Sequence, residues 1–110
     1  MYLNFMISEE DFSVLIETIT GTVNARQIIL FGSYAQEAAR TDSDIDILVI
    51  VDDSVSNLRE IVQLLHRKAY NILNIPCDIL VEHEGTFRER SILPTIERSI
   101  AREGKILYAA

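Results

Sequence analysis

The chain has 110 residues, 48% of them hydrophobic and 25% charged, with a formal net charge of −7. That length predicts one domain, residues 1–110, able to bury about two-thirds of its unfolded surface around a core without disulfides. The acidic balance argues against nucleic acid as a partner, because a phosphate backbone requires a basic face, and suits a basic protein instead.

Met1–Ile7 is apolar but short, lacks a basic flank and runs into Glu9-Glu10-Asp11, so neither a signal peptide nor a membrane span is expected. Ser8 opens the first helix, with Asp11 three residues on. Phe12, Leu15, Ile16 and Ile19 recur at helical spacing until Gly21 stops the segment. Gln27–Phe31 reads as a short buried strand, and Ser33 starts a short helix over Tyr34–Arg40. A second strand begins at Asp44 or Ile45 and runs to Val51. The polar turn Asp52–Asn57 follows, with Ser56 or Asn57 placed to cap a long helix. Leu58, Ile61, Val62, Leu65, Ala69 and Ile72 mark its apolar face, and Ile75-Pro76 breaks it. A third strand is expected from about Cys77 to Glu82. Thr86 with Glu89 suggests a capping box for a short helix, and Pro94 fits the first turn of another that ends at Gly104. Lys105–Tyr108 closes the pattern as a short strand. These elements predict an α+β (α/β sandwich) architecture: a small mixed β-sheet with helices on it.

The densest chemistry lies between Gly32 and Asp46. Gly32-Ser33 stands where one strand ends, and Asp44-Ile45-Asp46 starts the next. Side chains alternate along a strand, so Asp44 and Asp46 share a face. Two carboxylates on one face repel unless something positive lies between them. A divalent cation meets that need, and oxygen ligands suit magnesium. Gly32-Ser33 offers backbone N–H groups and a hydroxyl at a helix start, where phosphate is well held. Metal and phosphate at adjacent strand ends imply nucleotide chemistry. No G-x-x-x-x-G-K-[ST] motif occurs, which argues against a P-loop enzyme.

Gly32-Ser33-Tyr34-Ala35 and Ser43-Asp44-Ile45-Asp46, followed by an apolar strand, resemble the nucleotidyltransferase superfamily with the polymerase beta-like core. They look closest to its minimal nucleotidyltransferases (MNT), the antitoxin partners of HEPN toxins. Asp78, in Cys77-Asp78-Ile79-Leu80-Val81, matches the family's third acid. The resemblance spans most of the chain, including the ending Arg102–Tyr108. Gln36 and Glu37 depart from it, standing where the family has Arg or Lys and then Gly.

The resemblance implies a nucleotidyltransferase fold and AMP transfer from ATP to a hydroxyl, most plausibly a tyrosine of a HEPN toxin in the cytoplasm. It implies Asp44, Asp46 and Asp78 as catalytic residues and ligands of two Mg2+ ions, and Gly32 and Ser33 as nucleotide-binding residues. Two metals about 3.5–4 Å apart stabilise both the attacking and the leaving oxygen. Asp78 would stand beside the acceptor and help deprotonate it. No membrane is implied, and a homo- or hetero-oligomer is compatible, because the chain is too small to build an acceptor pocket alone. Two other readings share the fold: an inactive antitoxin that neutralises by contact, and a small-molecule nucleotidyltransferase subunit.

Other conspicuous residues read as structural. His66 lies beside the apolar face of the long helix with no second ligand at metal spacing, so a hydrogen-bonded structural role is expected. His83 reads as a solvated loop residue. Cys77 faces away from Asp78 as a buried, inert thiol, in keeping with a reducing compartment. Tyr34 is expected to pack under the sheet rather than stack on a base.

Overall fold

The computed structural model of the chain describes residues 8–36 and 44–110. Met1–Ile7 and residues 37–43, including Glu37 and most of the helix expected over Tyr34–Arg40, lie outside the described residues. The elements run α1 (Glu9–Thr22), β1 (Ala25–Phe31), β2 (Ile45–Val51), α2 (Leu58–Leu73), β3 (Cys77–His83), α3 (Glu84–Arg90), α4 (Ile96–Glu103) and β4 (Lys105–Ala109).

The four strands form one sheet in the order β3-β2-β1-β4. β1 is antiparallel to both β2 and β4, whereas β2 and β3 are parallel. A parallel pair needs a long crossover, and α2 supplies it. The sheet is therefore mixed, with helices packed on it, as the hydrophobic pattern predicts.

Strand alternation gives the sheet two unlike faces. Ile28, Leu30, Ile45, Ile47, Val49, Val51 and Ile79 join Leu15, Ile19, Leu65 and Ala69 of α1 and α2 in the main core. The other face carries a smaller cluster of Ile29, Leu48, Ile50 and Ile100, with Phe31 and Phe87 against it. Asp46 and Asp78 belong to this second face.

Several boundaries differ from the sequence reading, each for a local reason. Ser8 does cap α1, its hydroxyl accepting from the Asp11 N–H at 3.0 Å. Three acids in the first turn complement the helix dipole. Gly21 does not stop α1. The helix continues through Thr22 and ends where Val23 turns extended toward β1. Asn57 precedes α2 in a left-handed conformation and makes no side-chain cap bond. Asn74, also left-handed, ends α2 through its N–H to the Tyr70 carbonyl at 2.8 Å, two residues before Pro76. α3 starts at Glu84, so Thr86 lies inside its first turn rather than capping it. Thr95, not Pro94, opens α4: its hydroxyl accepts from the Arg98 N–H. Among the described residues, Gly32–Gln36 form a turn, with the Gln36 N–H bonded to the Gly32 carbonyl at 3.3 Å.

Candidate active site at the end of the sheet

Strand register assembles the acidic cluster. Phe31, the last residue of β1, stands opposite Asp46 of β2. Asp46 in turn stands opposite Asp78 of β3. Directly opposed residues share a face, so these three lie in a row across neighbouring strands spaced about 4.8 Å apart. Asp44 immediately precedes β2 and is exposed, as is Asp78, whereas Asp46 is half-buried.

Gly32 follows Phe31 with φ +75°. This is the left-handed region, which costs any other residue strain. A second constraint acts at the same atom. A Cβ on Gly32 would run into the Asp46 carboxylate, overlapping Oδ2 and lying 3.3 Å from Cγ. Only a glycine lets the turn pass this close to the acid. Ser33 and Ala35 are half-buried beside it, and Tyr34 is buried, which raises the pKa of its hydroxyl above its ordinary value. Gln36 is exposed, and its amide donates to Glu103 of α4 at 3.4 Å.

Asp46 senses the other two acids. The Asp46 carboxyl is held above its ordinary value, first by burial and then by the negative charges of Asp78 and Asp44. Such a group stabilises itself with a proton or a cation. Among the described residues, no three His, Cys, Asp or Glu side chains are gathered closely enough to hold a metal ion as they stand. The donor set, all carboxylate oxygen with one member already destabilised as an anion, nevertheless fits a hard divalent cation such as magnesium.

The surrounding residues divide between expectation and correction. His66 is hydrogen-bonded, as expected: its Nε2 accepts the Ile79 N–H at 3.0 Å. That bond ties α2 to β3 one residue beyond Asp78 and fixes the proton on Nδ1. Cys77 is buried on the face opposite Asp78, with its thiol pushed up to about 12, chiefly by burial. His83 is not a solvated loop residue. β3 extends to include it, and its ring nitrogen lies 2.7 Å from the Val55 carbonyl.

One feature of this face escaped the sequence reading. Glu97 of α4 is buried and ion-paired to Arg90 at 2.9 Å. Glu82 of β3 and Glu97 each leave a buried carboxylate oxygen without a hydrogen-bond partner. Glu82 is pushed up to about 7 by burial, then by its hydrogen bond with Glu97 and that residue's charge. Burial also raises Glu97, but hydrogen bonds from Glu82 and Arg90 outweigh it and hold the group low. One proton shared between the two, residing on Glu82, reconciles these directions. The signal was present in the periodicity: Glu82 alternates with Asp78 and Leu80, and Glu97 precedes Ile100 by three residues.

Comparison with known proteins agrees with this geometry. Residues 14–110 match the family described as polymerase beta, nucleotidyltransferase. A Methanocaldococcus jannaschii protein named as a candidate protein adenylyltransferase is 34% identical over 83 residues, covering 76% of this chain and 78% of that protein. A solved toxin–antitoxin structure with AMP-PNP superposes with a TM-score of 0.66 at 25% identity, covering 94% of this chain and 75% of the other. The structure of a tri-AMPylated Shewanella oneidensis HEPN toxin in complex with an MNT antitoxin shares the fold, at TM-score 0.61 and 20% identity over 94% of this chain and 74% of that one. The chain belongs to the polymerase beta-type nucleotidyltransferase family and is a nucleotidyltransferase.

Proposed function

We propose that the protein transfers AMP from ATP to a tyrosine hydroxyl of a HEPN toxin and so acts as its antitoxin in the cytoplasm. The observation that carries the reading is the row Gly32, Asp46, Asp78, in which a tight glycine turn is packed against one acid and a second acid lies in direct register with it. Support for AMP as the transferred group comes from the relative named for protein adenylylation and from the neighbour with AMP-PNP. Support for the partner comes from the neighbour that pairs an MNT antitoxin with a HEPN toxin.

Asp44, Asp46 and Asp78 would hold Mg2+, two ions in all, whose chemistry there is to neutralise charge on the reacting phosphate oxygens. The turn from Gly32 presents successive backbone N–H groups, with the Ser33 hydroxyl, to the β- and γ-phosphates. The acceptor oxygen forms a bond to the α-phosphorus while the bond to the bridging oxygen breaks. Pyrophosphate leaves toward Gly32-Ser33. The acceptor's proton passes to the Asp78 carboxylate, the acid farther from the turn.

Mass spectrometry of a HEPN partner mixed with the protein, ATP and magnesium tests this reading. The partner should gain one or more AMP units, and Asp44→Asn with Asp46→Asn should abolish the gain while leaving the complex intact. A partner that is bound and neutralised at unchanged mass would instead establish a binding-only antitoxin.

A further inference from the structure

A groove of about 380 Å³ opens beside Asp46 and Asp78. Its walls are largely apolar: Phe31 of β1, Val62 of α2, Leu80 of β3 and Ile96 at the start of α4, with His66 at one side. Leu80 is 43% exposed and Ile96 54% exposed, so these two rim side chains are accessible to a ligand. Among the described residues, its lining includes two carboxylates and no Lys or Arg.

This composition selects among the parts of the reaction. Beyond the two acids the walls are hydrocarbon and the His66 ring, and among the described residues they offer a polyphosphate chain no Lys or Arg partner. In-line displacement adds a directional constraint. The nucleophile and the leaving group lie on opposite sides of the phosphorus. The leaving pyrophosphate is assigned to Gly32-Ser33 beyond β1, and the acids of β2 and β3 lie progressively away from it. The nucleophile therefore approaches from the β3 side, where Leu80 and Asp78 line the groove. An aliphatic hydroxyl gains little from apolar walls. A phenol places its ring among Phe31, Val62, Leu80 and Ile96 while its hydroxyl reaches the carboxylates, which matches an amphipathic side chain with an apolar body and a polar tip.

Resting on the proposed transfer reaction, we infer that the groove of Phe31, Val62, Leu80 and Ile96 is the acceptor subsite and receives the aromatic ring of a tyrosine on the protein partner. It selects phenolic over aliphatic hydroxyls by burying the ring. Leu80 and Val62 set that specificity by shape, without touching the reacting atoms.

Two measurements test the inference separately from the reaction. The first is NMR titration of the protein, with magnesium and a non-hydrolysable ATP analogue present, using N-acetyltyrosinamide and N-acetylserinamide as probes. The tyrosine probe should shift the Val62, Leu80 and Ile96 methyl resonances, and the serine probe should not. The second fills the groove with Leu80→Trp or, from the helix side, Val62→Phe. Each should lower kcat/KM for AMP transfer to the partner, on the order of 100-fold for a misplacement of about 1 Å, with nucleotide affinity unchanged. Equal shifts by both probes, or transfer unaffected by either variant, would overturn the ring site while leaving the transfer reaction standing. Loss of nucleotide affinity in both variants would also overturn it, by assigning the groove to the nucleotide. Tyrosine-specific shifts without transfer to any partner would support the ring site and remove the proposed activity.

Discussion

The two faces of the sheet are made from the same strands and obey different rules. Along β2, Ile45, Ile47, Val49 and Val51 point into a core closed by α1 and α2, and all four are at most 0% exposed. The alternate residues begin with Asp46 and continue as Leu48 and Ile50 under the short helices α3 and α4. β3 repeats the division, with Cys77 and Ile79 in the main core and Asp78, Leu80 and Glu82 on the other side. One face is hydrocarbon and carries stability. The other carries Asp46, half-buried, and Asp78, exposed, where charge remains reachable by water and ligand. Separating the two lets the second face keep repelling carboxylates without endangering the fold.

Substitutions one residue apart should therefore have opposite consequences. Ile47→Ala should cost about 2–5 kcal/mol of unfolding free energy, as truncation of a fully buried side chain does, and leave kcat little changed. Asp46→Asn should leave stability unchanged or slightly raised, because it removes a half-buried charge facing Asp78 and Asp44. Denaturant titration of both variants reads the contrast. Equal destabilisation would show that the acids contribute to the core.

Gly32→Ala should show an intermediate effect and couple the two faces. The left-handed backbone costs about 1–2 kcal/mol for a residue with a Cβ, and the methyl must displace the Asp46 carboxylate. Stability should fall by that amount and nucleotide binding should fall further. A variant with normal nucleotide affinity would separate the glycine from the site.

The smallest effect concerns the Glu82–Glu97 pair. Glu82 is raised to about 7 in the folded protein from an ordinary 4.5. The folded state therefore binds the extra proton between these values. The associated stability is fully present below about pH 4.5 and is lost as pH rises through about 7. Glu82→Gln keeps a donor for Glu97 without titrating. It should remove that decline and stabilise the protein at pH 8 by about 1 kcal/mol, after allowance for solvent screening. Thermal melts across pH 5–8 provide the check, and parallel wild-type and variant profiles would contradict the shared proton.

Much of this organisation was legible in the sequence because strand alternation is a strict period. It placed Cys77 and Asp78 on opposite faces of β3. The helix ends were less legible. Asn57 and Asn74 adopt left-handed backbone that a glycine signal would have announced but asparagine does not. Gly21 looked like a stop and is an exposed helical residue, since glycine permits a helix end without enforcing one. The Asp46–Asp78 opposition depends on the parallel register across the α2 crossover, a long-range fact that motif spacing does not encode. The same holds for the buried Glu97 and for the contact between Gly32 and Asp46.

The proposed function requires the acids at the end of the second face to form one cation and nucleotide site. Isothermal titration of ATP, with and without magnesium, into wild type and into Asp46→Asn with Asp78→Asn tests it most directly. Wild type should bind ATP in a magnesium-dependent way and the double variant should not, with both proteins equally folded. Equal, magnesium-dependent binding by the two would contradict it.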